Sequence, residues 1–405
     1  MNTRILLILL SSLRYTISCI SQNNRSTYLW AVEDPLRETR AYLFGTIHVP
    51  YTAVWDRVSH RVKDAFEQSD TVAFEVDLHD ELTSRRLVKC KNLKRKEKIQ
   101  SYLPPSIYKR LRKLMETLHN RIYLGLIARA QSNEELKQAE EHAMRLHHSI
   151  IDGWERKRPE WLLFLLYQLC DNVHDRMSDA PILDLFLAEK AHSEEKELHS
   201  IESVEEQCNP ISTVTHEQVL FAINYTLSYL ERGEEHPATK RKQRTLTELV
   251  RDYRCGTVEE ALRREQPRRE VSVIDSADDA EEQIEDQLRE DILVTRNERM
   301  ARRIRSLLES KPHSKLFVAL GTGHFFGERS ILDHLTEMNL LVWSIREDDV
   351  ISYNTKREQR VQSLWIRGKN DVRVTIEITQ LPNSQRTFHP RIPLFLLLLN
   401  LAALS

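Results

Sequence analysis

Two apolar runs in this chain end in the same way. Tyr42-Leu43-Phe44 leads into Gly45-Thr46-Ile47-His48, and Leu316-Phe317-Val318-Ala319-Leu320 leads into Gly321-Thr322-Gly323-His324. A short apolar run closed by glycine predicts a buried strand that stops at a turn. After the first turn, Val54, Val58, Val62, Ala65 and Phe66 recur at helical spacing as far as Gln68. Thr71 to Leu78 then predicts a second strand. Strand, helix and strand in about 35 residues make a βαβ-type unit, which favours a parallel pair. Glu75 falls inside that second strand, where an unpaired carboxylate costs several kcal/mol or gives up its charge. A metal ion or a cation beside it removes that penalty.

From about residue 104 to 230 the pattern is helical. Pro104-Pro105 opens one helix, with Ile107, Leu111, Leu114, Met115 and Leu118 as its apolar stripe. Trp161 to Leu169 is almost continuously apolar and predicts a buried helix; Pro181 starts another. His142, His147 and His148 lack the spacing of a zinc-binding His-Glu-x-x-His helix and read as surface residues. Lys89 to Lys98 reads as a solvated basic loop. Gly233 to about Glu290 is dominated by charge, with Val271 to Glu282 as a loop. Asn297 to Leu308 is amphipathic, with Met300, Ile304, Leu307 and Leu308 inward. Ser330 to Met338 reads as a helix, Leu340 to Ile345 as a strand, and Val372 to Ile378 as a half-exposed strand. The expected fold is α/β: a mostly parallel sheet core formed by the two paired Gly-x-x-His units, with a large helical insertion packed to one side.

Composition narrows the function classes. A formal net charge of −2 over 405 residues gives no electrostatic case for nucleic acid. Arg4 followed by Ile5 to Leu10 reads as a signal peptide over residues 1–19, too short to span a bilayer. Residues 22–385 then form an extracellular domain, and the apolar stretch within 386–405 a membrane anchor. That stretch fits a single-pass type I span, or a glycolipid-anchor signal with its small-residue site near Asn383-Ser384. Either anchor puts the protein on the outer face of the cell membrane. In an oxidising compartment Cys90, Cys170, Cys208 and Cys255 allow two disulfides in any of three connectivities. Asn24 and Asn224 open glycosylation sequons.

Histidine just past the end of a parallel strand is where open α/β sheets place their chemistry. Imidazole and carboxylate together suit first-row divalent ions. His48, His324 and Glu75 are therefore the candidate metal ligands and catalytic residues. Glu75 has a second candidate role as the base that deprotonates a metal-bound water, with another acid completing the shell.

Longer segments carry a family resemblance. Phe44 to Tyr51 with Val54-Trp55-Asp56, Trp154 to Pro159, Pro181 to Asp184 and Val204 to Cys208 resemble, in order, motifs of the TIKI metalloproteases of the TraB-type superfamily. Arg296 to Met300 followed by Gly321 to Phe325 resembles the closing motif. The likeness runs from about residue 29 to 346. It implies a membrane-anchored, manganese- or cobalt-dependent protease that cleaves the N-terminal part of Wnt proteins and antagonises Wnt signalling. It also implies that the family's two Gly-x-x-His motifs and strand glutamate fall on His48, His324 and Glu75, with Asn297 to Arg299 as supporting contacts. The competing expectations are a Wnt-binding antagonist without catalysis and a small-molecule hydrolase of the same superfamily.

Overall fold

A computed structural model describes residues 25–127, 132–151, 153–170, 180–232, 246–259 and 276–354. The signal segment, Asn24, the strand expected at Val372 to Ile378 and the C-terminal apolar tail lie outside the described residues.

The chain opens with an antiparallel hairpin, β1 (Leu29–Asp34) and β2 (Thr39–Thr46). Helix α1 (His60–Gln68) leads to β3 (Thr71–Phe74). Then come α2 (Glu81–Cys90), α3 (Pro105–Ile127), α4 (Asn133–Ile151), α5 (Pro159–Cys170) and α6 (Leu183–Ser193). Strand β4 (Glu197–Ser200) is followed by α7 (Val204–Cys208), α8 (His216–Arg232) and α9 (Leu246–Cys255). Helix α10 (Ser276–Arg289) passes through a π-helical turn, Glu290–Val294, into α11 (Thr295–Ser310). The chain returns to the sheet with β5 (Leu316–Gly321), α12 (Ile331–Glu337) and β6 (Leu341–Ser344).

The six strands lie in the order β4-β3-β5-β2-β1-β6. The first four run parallel, and β1 and β6 add an antiparallel edge. The α/β expectation holds, and the two strands that lead to His48 and His324 are direct neighbours. One detail differs: β2 and β3 are parallel but do not touch, because β5 lies between them. β3 and β5 are buried along their whole length, so only apolar or strand-forming side chains are tolerated there.

Other boundaries move for physical reasons. Strand β3 stops at Phe74, so Glu75 follows the strand instead of lying inside it. Helix α1 starts at His60, where the Ser59 side chain accepts from the Arg61 amide; Val54 and Val58 are buried in the turn before it. On α11 Met300, Ile304 and Leu308 are buried at i, i+4 spacing, while Leu307 is half-buried. Residues from Ser276 onward are helical where the charge pattern suggested a loop; Ile284 and Leu288 supply a buried stripe at i, i+4 spacing. The basic run is not wholly solvated. Lys91 is buried with its ammonium over the Trp161 ring, 4.9 Å from the centroid, and burial lowers its pKa to about 7.

A disulfide joins Cys90, at the end of α2, to Cys208, at the end of α7. Cys255 is disulfide-bonded as well. The Cys90–Cys208 bond closes a loop of 118 residues that holds most of the helical insertion. Long loops give the largest chain-entropy effect. Replacing both cysteines by serine is expected to lower stability by about 2–5 kcal/mol. The check is equilibrium unfolding in urea. An unchanged midpoint would show that the cross-link adds nothing to the folded state.

Candidate functional site

All four parallel strands end at one edge of the sheet, and each is followed at once by an ionisable side chain. β2 is followed by His48, β3 by Glu75, β4 by Glu202 and β5 by His324. The backbone N–H of Glu202 donates to the carbonyl of Glu75 at 2.7 Å, which holds the β3 and β4 extensions together.

Arg296 organises the acidic half of this edge. Its guanidinium is 2% exposed and enters from the first turn of α11, just after the π-helical turn. Such turns insert one residue and re-aim the side chains that follow. Nε donates to Glu202 Oε1 at 2.9 Å and Nη2 to Glu202 Oε2 at 2.6 Å. Nη2 also donates to Glu75 Oε2 at 2.8 Å, and Nη1 to the Ile292 carbonyl at 3.1 Å. Gln207, on the disulfide-tied α7, donates from Nε2 to both Glu75 Oε2 and Glu202 Oε2. The Gly321 amide donates to Glu75 Oε1 at 2.9 Å. Burial alone would push the Glu75 carboxyl up. The Arg296 charge and the donors around the carboxylate outweigh that and hold it well below the usual carboxylate range.

His324 is fully buried, in a short helical turn (Thr322–Phe325) held by Phe325 stacking on Trp30. Its tautomer can be deduced. Asn297 Nδ2 donates to the Arg329 carbonyl, so Asn297 Oδ1 faces the imidazole, with His324 Nδ1 2.6 Å away. An amide oxygen only accepts, so Nδ1 carries the hydrogen. In the neutral ring Nε2 therefore keeps its lone pair. It stands 3.5 Å from Glu75 Oε1 and has no hydrogen-bond partner.

His48 is paired differently. Its Nδ1 is 3.0 Å from Asp184 Oδ2, ion-pair range, but without the alignment of a hydrogen bond, and neither ring nitrogen has a hydrogen-bond partner. Asp184 sits in the first turn of α6, and Thr46 Oγ1 donates to its Oδ1 at 2.7 Å. The two segments are locked together. Tyr51 N–H donates to the Pro181 carbonyl and Leu183 N–H to the Val49 carbonyl, on either side of a Pro50–Ile182 bridge. Burial pulls the His48 pKa down, but the Asp184 carboxylate, helped by Glu75, outweighs it and leaves the pKa raised.

Three buried carboxylates, Glu75, Asp184 and Glu202, gather at this edge; the buried Arg296 serves Glu75 and Glu202, and the half-buried Arg299 reaches Glu202 at 3.3 Å. Several of the buried polar atoms without partners are here: both His48 nitrogens, Asp184 Oδ2, Thr322 Oγ1 and His324 Nε2. Buried orphans need an explanation, and a bound cation is one. Imidazole nitrogen and carboxylate oxygen together are the donor types that suit a divalent metal ion. Among the described residues, however, no three His, Cys, Asp or Glu side chains are gathered closely enough to count as a formed metal cluster.

The structure therefore places all three sequence-derived residues at one edge and brings Glu75 and His324 side by side. It adds Asp184, Glu202, Gln207 and Arg296, which hydrophobic patterning does not single out. Asn297, expected as a supporting contact, orients His324. Asn224 is exposed on α8, its amide oxygen accepting from Arg110, while Thr226 of the same sequon is buried.

Comparison with known proteins follows the same residues. The profile of the TraB/PrgY/gumN family matches residues 28–342. A Danio rerio protein named Metalloprotease TIKI2 is 36% identical over 78% of this chain and 61% of its own length. The Homo sapiens protein named Metalloprotease TIKI1 is 34% identical over 78% of this chain and 61% of its own. A Nematostella vectensis protein named Metalloprotease TIKI homolog is 32% identical, covering 84% of this chain and 73% of its own. The chain thus spans about three-fifths of the length of the vertebrate relatives it matches. No solved structure matches it.

Arg296 supplies a direct test of this geometry. Arg296→Met keeps volume but leaves Glu75 and Glu202 buried without their shared counter-charge. The expected loss of stability is about 3–5 kcal/mol, the cost of breaking a buried ion pair from one side. Urea unfolding measures it; a loss below about 1 kcal/mol, typical of an exposed pair, would contradict the burial described here.

Proposed function

The chain belongs to the TraB/PrgY/gumN family, and we propose that it is a metal-dependent protease acting through the sheet edge that holds His48, Glu75 and His324. One observation carries this: buried imidazole nitrogens without hydrogen bonds stand beside the buried carboxylates of Asp184 and Glu75. His48, His324 and Glu75 would hold the ion. A divalent ion bound there supplies a water of near-neutral pKa and polarises a carbonyl, which is the chemistry peptide hydrolysis needs.

The chain's own residues prepare that site. Asn297 fixes the His324 ring so that Nε2 faces the Glu75 carboxylate. Arg296, Gln207 and the Gly321 amide keep Glu75 ionised and in one orientation. The Pro50–Ile182 bridge holds His48 beside Asp184.

The proposal extends to substrate and place. Names of the relatives contain the words Metalloprotease TIKI. With the resemblance of the six segments above, they support cleavage of the N-terminal part of Wnt proteins, damping of Wnt signalling, manganese or cobalt as the ion, and anchorage at the outer face of the cell membrane. The apolar segment 386–405 would supply the anchor; no helix among the described residues is long and apolar enough to cross a membrane.

The test is Wnt cleavage by the purified protein, read by mass spectrometry of the Wnt N-terminus. Wild type should cut in the presence of Mn²⁺ or Co²⁺ and stop when a chelator removes the ion. His48→Ala and His324→Ala should each lose roughly 1000-fold or more while keeping the wild-type melting temperature. Cleavage undiminished in both variants would sink the site. Wnt binding without cleavage, equal in wild type and variants, would make the protein a sequestering antagonist.

A further inference from the structure

The basic run Lys89 to Lys98 has no part in the metal-dependent reading, yet it is held as a fixed surface. Lys91, Leu93 and Ile99 are buried anchors, with Lys91 laid over the Trp161 ring. The backbone between them pairs with a second segment. Leu93 N–H donates to the Arg156 carbonyl and Arg158 N–H to the Lys91 carbonyl, on either side of an Asn92–Lys157 bridge. The Cys90–Cys208 bond pins one end. A loop tied at so many points presents its outward side chains in set places, which lowers the ordering cost of binding.

Those outward side chains are cations. Lys89, Lys94, Arg95, Lys96 and Arg156 are exposed, and none makes an ion pair among the described residues. The acids nearby are committed elsewhere: Glu155 to Lys98, Glu205 to Arg86 and Glu160 to Arg158. Glu97 is the one acid inside the run, and it turns back into the loop. Its Oε2 accepts from the Lys94 amide and the Tyr102 hydroxyl. Positive charge is crowded as a result: the neighbouring Lys157 charge adds to burial in lowering the Lys91 pKa.

We infer that this face binds a sulfated polysaccharide chain. Sulfate groups recur along such a chain and stay ionised, which matches a set of cations in fixed positions; arginine adds a forked donor for their oxygens. Basic runs of this length are a recurring signature of polyanion sites. The disulfides at Cys90 and Cys255 are those of an oxidising compartment. Anionic lipid is concentrated on the cytoplasmic leaflet, away from such a compartment. Single-stranded nucleic acid is held by aromatic side chains that stack on bases, and the run contains none.

Calorimetric titration of the purified full-length chain with a size-defined heparin oligosaccharide, at about 0.15 M NaCl, tests this. Wild type should bind it, and should bind heparin stripped of its sulfates at least about 30-fold more weakly. Lys94→Ala/Arg95→Ala/Lys96→Ala should keep the melting temperature, weaken heparin binding about 30-fold and flatten its salt dependence, as loss of fixed anion contacts does. Arg302→Ala/Lys311→Ala/Lys315→Ala removes the same charge from α11 and the turn into β5, and should bind as wild type does. Equal loss in the two variants would show attraction to overall charge and overturn the site, as would a wild type that does not bind. Phosphatidylserine vesicles or single-stranded DNA bound as tightly as heparin would overturn the choice of a sulfated polysaccharide. Should the triple variant fail to fold, Arg95→Glu and Arg156→Glu, each at an exposed position, must singly weaken heparin binding by more than about fivefold. None of these readouts depends on the metal-dependent reading.

Discussion

A guanidinium buried between two carboxylates sets the terms for this protein. Taking one positive and two negative groups out of water costs several kcal/mol per ion unless geometry and hydrogen bonds restore it. Arg296 meets that demand with a two-bond contact to Glu202, a third bond to Glu75 and a fourth to a carbonyl of its own helix. Each partner comes from a different element. Glu75 follows β3, Glu202 follows β4, and Arg296 lies on the helix that precedes β5. The ion cluster therefore fixes where three separate pieces of chain must stop. Gln207 closes it from a fourth direction, and its short helix is tied to α2 by the Cys90–Cys208 bond. The cross-link stabilises the insertion and also supports the acid cluster.

This explains why a helical insertion of such length sits between β3 and β5 without disturbing the site. The sheet needs only its strand ends in place. The insertion returns to it at several points, among them Ile182 beside Pro50, β4 beside β3, Gln207 on Glu75 and the Tyr253 hydroxyl on the Gly45 carbonyl. Between those points the helices cover apolar surface, and their core residues, such as Leu162 and Leu166 on α5, are fully buried.

The sequence made some of this legible and hid the rest for physical reasons. Apolar runs that end at glycine expose β2 and β5, and a carboxylate after Val72-Ala73-Phe74 is conspicuous because strands this apolar are buried on both faces. That is how His48, Glu75 and His324 stand out from residue order alone. The run Leu29 to Val32 before Asp34-Pro35 carries enough signal for β1. Strand β4 carries almost none: Glu197-Leu198-His199-Ser200 is polar and half-exposed. Asp184, Glu202, Gln207 and Arg296 lie on or beside helices, where charged and polar side chains normally face water. Their burial is imposed by tertiary contacts, which periodicity does not record. What betrays Asp184, Gln207 and Arg296 is their place in longer family-like segments; Glu202 lies outside those segments.

The two Gly-Thr-x-His turns look like copies, yet the sheet does not use them as copies. In the β2–β5 register Gly45 lies opposite Leu320, and Gly321 lies opposite Thr46. The motifs are one residue out of step, and in a pleated sheet one residue exchanges the two faces. The glycines consequently do different work. A Cβ on Gly45 would stand 2.9 Å from Thr322 Oγ1, so its role is to let the second turn approach the first strand. Gly321 instead directs its amide at Glu75 Oε1. The offset extends to the histidines. Strand β2 runs one residue past its glycine, and the extra residue, Thr46, steers Asp184 toward His48. Strand β5 ends at its glycine and continues as a helical turn, which carries His324 to a neutral amide. Through Nδ1, one imidazole thus meets a carboxylate and the other a neutral amide, and that difference accompanies a shift of a single residue in register.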